Sequence, residues 1–257
     1  MNIALFLSYV GSRYHGWQTQ ANGDTIQQAL TSAVLKATGC HVSLSGCGRT
    51  DAGVHARVYC ANARFSTSIP LSRLPLALNA RLPDDIAVRE ARIVPDDFDS
   101  RFSCKRKEYT YTVYNSRMRD PFLLERACFF PYPLDFSRVQ AAAGMFEGTH
   151  DFKAVRRVGS PTKTTVRTIF YCTAEKSGDL ITVKICGDGF LYNMVRAITG
   201  TLLYAGMNKL NPEDIPAILD SGDRALRRAY SPGCRSRDDR TLVRRLHPSA
   251  SIGVSYL

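Results

Sequence analysis

The residues best suited to chemistry lie in one stretch, GCGRTDAGVHA, from Gly46 to Ala56. Its three glycines, Gly46, Gly48 and Gly53, permit tight or left-handed backbone and the close approach of a ligand. Between them stand Arg49, Thr50 and Asp51. An ionised carboxylate in such a loop can act as nucleophile or base without a cofactor. An arginine two residues away can anchor a phosphate or serve as a charge partner. On residue types alone, Asp51 can equally cap a turn, as Asp often does in glycine-rich loops. His55 has the chemistry of an acid–base group, but a structural hydrogen bond is the reading favoured for it.

Those residues need a scaffold, and the surrounding pattern supplies one. Residues 2–9 form an apolar run that predicts a buried strand. A helix is expected from Asp24, with Asp24 as cap and Gln27 three residues on. Ile26, Ala29, Leu30, Ala33 and Val34 would form its buried face, and Gly39 would stop it. The glycine-rich loop leads into VHARVYCANARF, which favours a strand, and a short leucine-bearing helix is expected between Pro70 and Pro83. KRKEYTYTVYN alternates from Lys107 to Tyr114 as a strand does. Asp135 can cap a helix carrying Phe136, Val139, Ala143 and Phe146. KSGD joins Thr168–Ala174 to Leu180–Cys186 as a hairpin. A further helix carries Leu191, Met194, Val195, Ile198 and Leu202, and Asn211–Pro212 fits the start of another. Hairpins mixed with helices predict an α+β architecture, an antiparallel sheet covered on one face, with a boundary near residues 104–108.

Composition narrows the function classes. No run of about 18 apolar residues occurs, so no membrane span is expected. The apolar N-terminus lacks a preceding basic region and reads as a strand rather than a signal peptide. Eight cysteines are scattered without a CxxC pair, which predicts free thiols, no disulfides and no metal site. The net charge of +11 favours a polyanionic partner. Residues 224–245 alone hold eight arginines and two aspartates, or +6 of that total, so the rest of the chain favours nucleic acid only modestly.

The string GRTDAGVHA, nine contiguous residues from Gly48 to Ala56, resembles the signature of the TruA-like tRNA pseudouridine synthase family. Further segments are similar to family blocks in the same order. They are SYVGSRYHGWQTQ from Ser8, LNARLPDDIAV from Leu78, FDSRF from Phe98, KEYTY from Lys107 and GDGFLYNMVRAITGTL from Gly187. The resemblance runs from about residue 3 to residue 222. It implies the pseudouridine synthase fold, α+β and mainly antiparallel sheet flanked by helices. It further implies two similar α/β subdomains, residues 1–105 and 106–257, with the active site in the cleft between them. It implies an isomerase that converts uridines of the tRNA anticodon arm to pseudouridine.

By the same resemblance Asp51 matches the catalytic aspartate, Tyr109 the tyrosine that stacks on the target uracil, and Arg196 the arginine that pairs with the catalytic carboxylate. Arg49 matches an arginine of RNA binding or nucleotide flipping, and Arg101 a basic residue near the RNA path. Arg13, Tyr14 and Trp17, in the N-terminal block, are grouped with the RNA-binding residues; Trp17 can equally be core. Taken singly, Tyr109 reads as a half-buried strand aromatic and Arg196 as a helix-surface charge. The implied partners are tRNA and a second copy of the chain, with no metal, no small-molecule cofactor, no membrane and a cytoplasmic setting. Two rival readings exist. One is a catalytically inactive RNA-binding or RNA-chaperone module. The other is a glycoside hydrolase, which would require a second positioned carboxylate that does not stand out near the motif.

The chain departs from the family pattern in three places. Ser8, Val10 and Gly11 surround Tyr9 where the family has an acidic residue and Asp-Gly. Arg57, Val58 and Tyr59 replace a glycine-glutamine-valine segment. Residues 225–248 lack the family's closing blocks and read either as a basic, poorly ordered RNA-binding segment or as the product of a reading-frame shift.

Overall fold

A computed structural model describes residues 1–155, 164–222 and 250–255. The chain divides into two compact units, Met1–Lys105 with Ser251–Leu257, and Arg106–Ala250. The expected anomaly of residues 225–248 falls outside the described residues.

The first unit runs β1 (Asn2–Tyr9), α1 (Ile26–Thr38), β2 (Ser45–Gly46), β3 (His55–Arg64), α2 (Leu74–Asn79) and β4 (Ile86–Val94). β1 lies between β4 and β3 and is antiparallel to both. Its period of two puts Ile3, Leu5, Leu7 and Tyr9 on one face, and all four are buried. The fully buried Ile26, Leu30, Ala33 and Val34 of α1, with Leu74 and Leu78 of α2, supply the helical part of this core. α1 starts one residue later than the pattern suggests. Thr25, not Asp24, is the cap: its Oγ1 accepts from the Gln28 amide at 3.3 Å and donates to Gln28 Oε1 at 2.8 Å. The reason is competition. Gln27 is used elsewhere, accepting from Thr19 N at 2.9 Å and donating to Leu44 O at 2.9 Å. Gly39 closes the helix in the left-handed conformation at φ +73°.

The second unit runs β5 (Arg106–Asn115), β6 (Cys128–Phe130), α3 (Phe136–Gly144), β7 (Gly148–Asp151), β8 (Val166–Ser177), β9 (Leu180–Gly187), α4 (Met194–Gly206) and α5 (Ile215–Ser221). Its strands lie in the order β6-β5-β9-β8-β7. All these pairings are antiparallel except β5 with β6. Tyr111 and Val113 of β5 are register partners of Val183 and Ile181 of β9 on one buried face, which Ile185, the partner of Tyr109, continues. α3 and α4 pack tightly together, with Asp135 N donating to Gly206 O at 2.8 Å. Asp135 caps α3 by accepting from the Ser137 and Arg138 amides. Asn211–Pro212 opens a 3-10 turn over Pro212–Asp214 rather than an α-helix, and that turn feeds α5.

The last strand, β10 (Ala250–Ser255), pairs parallel with β3 through Ser251↔His55 and Ile252↔Ala56. The architecture is therefore α+β and mainly antiparallel, with few helices. Among the described residues no helix is long and apolar enough to cross a membrane.

Candidate active site

The signature loop hangs between β2 and β3. It is pinned at its start, where Gly46 faces Ala61 and Cys47 N donates to Cys60 O at 3.0 Å. The buried Tyr59 hydroxyl donates to Gly48 O. At its far end Val54 N donates to Asp51 O at 3.2 Å, closing a turn through Gly53 at φ +80°. Thr50 is 6% exposed, and its Oγ1 shares a hydrogen bond with the Tyr9 hydroxyl at 3.0 Å. With Thr50 turned inward, its neighbours open outward: Asp51 is half-buried and Arg49 exposed. The sequence thus delivers a carboxylate on a backbone held from three sides.

The third side is the N-terminal block. Trp17 N donates to Thr50 O at 3.3 Å, and Gly53 N donates to Tyr14 O at 3.2 Å. Gly16 and Trp17 continue to α1, accepting from Ile26 N and Gln27 N. The chain passes so close here that Gly11, Gly16 and Gly46 have no room for a side chain. A Cβ on Gly16, itself at φ +88°, would lie 2.2 Å from Thr50 O. A Cβ on Gly46 would meet the Tyr59 hydroxyl at 2.3 Å and the Trp17 ring at 2.6 Å. His55 serves structure: its Nδ1 accepts from Gly11 N at 3.0 Å.

Trp17 and Tyr14 are both buried. The Trp17 ring packs on Tyr59 with centroids 4.3 Å apart. The Tyr14 hydroxyl donates to Asp85 Oδ1 at 2.6 Å. Burial, reinforced by that hydrogen bond, pushes the Tyr14 phenol up to about 12. Arg13 reaches the same carboxylate, Nε to Oδ2 at 2.8 Å, from an exposed position. Such a surface pair adds little stability.

The FDSRF segment is mounted on the other side of the sheet. Asn2, Asn62 and Ser100 are buried polar residues that satisfy one another. Asn62 Nδ2 donates to Asn2 Oδ1 at 2.9 Å, and Ser100 donates to Asn62 Oδ1 from both N and Oγ, at 2.8 and 2.7 Å. Asn2 Nδ2 donates to the carbonyls of Pro95 and Phe98. Arg101 is exposed, its guanidinium 5.5 Å above the Phe102 ring.

In the second unit Tyr109 sits on β5, half-buried, edge-on to Phe190 at 4.8 Å. Arg196 is the third residue of α4 and is half-buried; its Nη1 donates to Asn193 Oδ1 at 3.3 Å. Asn193 precedes the helix in the left-handed conformation at φ +64°. The Cys128 thiol is pushed up to about 12 by burial, which outweighs the Tyr111 hydrogen bond and the charge of Arg196. A thiol held neutral is no nucleophile, so Cys128 does not compete for that role. Asp51, Arg49, Arg101, Arg13, Tyr14 and Trp17 belong to the first unit, and Tyr109 and Arg196 to the second. The sequence names Thr50 and Tyr59 but not their part in holding the loop, which depends on Tyr9 and Gly48 lying beside them in the fold.

A family model described as tRNA pseudouridine synthase matches residues 5–103 and 142–234. The chain is 44% identical over 223 residues to tRNA pseudouridine synthase A of Thermoanaerobacter sp. (strain X514), covering 87% of this chain and 91% of the relative. Proteins of the same name from Acetivibrio thermocellus and Geotalea uraniireducens are also 44% identical over 223 residues, with the same coverage.

Proposed function

The chain belongs to the tRNA pseudouridine synthase family, and from that footing we propose that Asp51 is the carboxylate on which its reaction turns. The protein is a tRNA pseudouridine synthase, an isomerase. The observation that supports Asp51 is its mounting: a half-buried carboxylate on a loop tied to β2, β3 and the N-terminal block. Substrate and product are isomers. The glycosidic C–N bond of uridine breaks, a C–C bond to the same sugar forms, and the proton lost from the base carbon is balanced by one gained at nitrogen. No redox partner or co-substrate is needed, so an ionised side chain that engages the sugar suffices. A carboxylate on a rigid loop meets that need, because placement to within about 0.5 Å is what preorganisation requires.

Tyr109 and Arg196 keep, as proposals, the roles that the resemblance gives them. Support for Tyr109 is its half-exposed ring, braced edge-on by Phe190; an aromatic face holds a base without fixing its in-plane orientation. Exposed Arg49, Arg101 and Arg13 suit phosphate contacts. The anticodon arm as target, a homodimer as the working form and a cytoplasmic setting complete the proposal. The test is mass-spectrometric mapping of pseudouridine in unmodified tRNA transcripts treated with purified wild type and Asp51→Asn. Wild type is expected to convert anticodon-arm uridines, and Asp51→Asn to convert none while retaining tRNA affinity. Turnover by Asp51→Asn would remove Asp51 from the mechanism.

A further inference from the structure

We infer that Phe102 is a stacking face for an unpaired base of the RNA substrate, a reading that rests on the synthase assignment above. Single exposed apolar side chains are normal on protein surfaces and by themselves mean nothing. Phe102 is 77% exposed, but its backbone is held by hydrogen bonds on both sides of the turn. Asp99 Oδ1 accepts from the amides of Arg101 and Phe102, at 2.8 and 3.2 Å. Asp99 O accepts from the amides of Phe102 and Ser103. Between them, Ser100 is fully buried and locked to Asn62 through both its amide and its hydroxyl. The turn cannot shift without breaking buried polar contacts, and each buried group left unsatisfied costs folding free energy.

The same anchors reach the signature loop. Asn62 of β3 is the register partner of Ser45 in β2, and Ser45 Oγ donates to Asp99 Oδ2 at 2.9 Å. Ser45 immediately precedes Gly46, where the loop carrying Asp51 begins. The Phe102 turn and the Asp51 loop therefore share one rigid mount, and an RNA nucleotide on the first is set in register with the second.

The chemistry of the turn selects a nucleic acid rather than a protein. The Arg101 guanidinium covers one side of the Phe102 ring at 5.5 Å, within cation–π range, and the high exposure leaves the other side open. Arg101 is the cation at the ring itself, and Lys105 follows four residues on in the same unit, which complements a phosphate backbone. An open aromatic face beside a cation is the arrangement by which proteins hold unpaired bases without reading their sequence.

The experiment compares full-chain wild type, Phe102→Ala, Phe102→Trp and Arg101→Ala on an unmodified tRNA transcript. Loss of one base stack is expected to raise KM and Kd of Phe102→Ala about tenfold while kcat and the salt dependence of binding stay close to wild type. Arg101→Ala should instead lower the salt slope by about one, the signature of a lost phosphate contact. Phe102→Trp should bind like wild type, and its added tryptophan emission should be quenched at saturating transcript. Wild-type KM for Phe102→Ala, or emission of Phe102→Trp that ignores the transcript, overturns the proposal. So does a Phe102→Ala protein whose assembly mass changes while its tRNA affinity does not, since that marks a protein contact. A wild type that neither binds nor modifies the transcript removes the synthase reading and this proposal with it. An active wild type beside an indifferent Phe102→Ala removes only the stack.

Discussion

Gly16→Ala tests whether the N-terminal block truly sets the position of Asp51. Gly16 lies at φ +88°, and an added Cβ would fall 2.2 Å from the carbonyl oxygen of Thr50. A left-handed alanine costs about 1–2 kcal/mol through its own backbone. The obstacle is a carbonyl rather than a side-chain tip, so it cannot swing aside. The two segments must separate, and the Trp17 N to Thr50 O hydrogen bond, already 3.3 Å, is lost for a further ~0.5–1.5 kcal/mol. The expected destabilisation is about 2–3 kcal/mol. Thr50 is bonded to Asp51, so the carboxylate moves too, and a misplacement of about 1 Å can cost roughly 100-fold in turnover. Gly39→Ala is the control: it also has positive φ, at +73°, but nothing lies within 4 Å of its added Cβ. It should lose about 1 kcal/mol from strain and keep its kcat. Urea denaturation and single-turnover pseudouridine formation read both quantities. Equal stability and equal kcat for the two variants would refute the clasp.

Three further outcomes are expected. Tyr109→Phe should retain tRNA affinity, whereas Tyr109→Ala should lose a stack worth about 1–3 kcal/mol and most turnover, read by steady-state kinetics. Asn62→Leu takes from Asn2 Oδ1 and from the Ser100 amide the partners that Asn62 supplies in the interior, at about 1–3 kcal/mol for each group left unsatisfied, so its urea midpoint should fall well below wild type. The Tyr14 phenol titrates higher folded, at about 12, than unfolded, near 10, so its contribution is complete below pH ~10 and declines as pH climbs toward 12. In that window the stability of Tyr14→Phe should fall with pH by up to about 1.4 kcal/mol per unit less steeply than wild type.

The parts of the molecule legible in the sequence are those written in contiguous residues. The alternation in Lys107–Tyr114 and the KSGD turn read directly as β5 and the β8–β9 hairpin. The heptad-like spacing of Leu191 to Leu202 reads as α4, and the loop of Asp51 is recognisable as an unbroken string. What escaped depends on which strand lies beside which. Asn2 and Asn62 become partners because β1 and β3 pair antiparallel, and period two says nothing of a strand's neighbour. The burial of Trp17 likewise follows from Tyr59 lying beneath it, a contact no local pattern announces. The displaced cap at Thr25 turned on a choice between two side-chain networks of nearly equal merit, which propensity does not resolve.

The parallel pairing of β10 with β3 gives the molecule a timetable. β3 leaves the Asp51 loop through His55 and Ala56, and their partners, Ser251 and Ile252, are made only after the whole second unit between them. At about 5–20 residues per second, the edge stays open for on the order of ten to forty seconds while the residues between β3 and β10 are translated. The first unit is therefore discontinuous in time as well as in sequence. The nascent chain carries a bare strand edge at His55–Ala56, the kind that recruits stray strands, until β10 arrives to occupy it. Slow translation or an early stop therefore threatens most directly the strand that emerges from the loop bearing the proposed catalytic carboxylate.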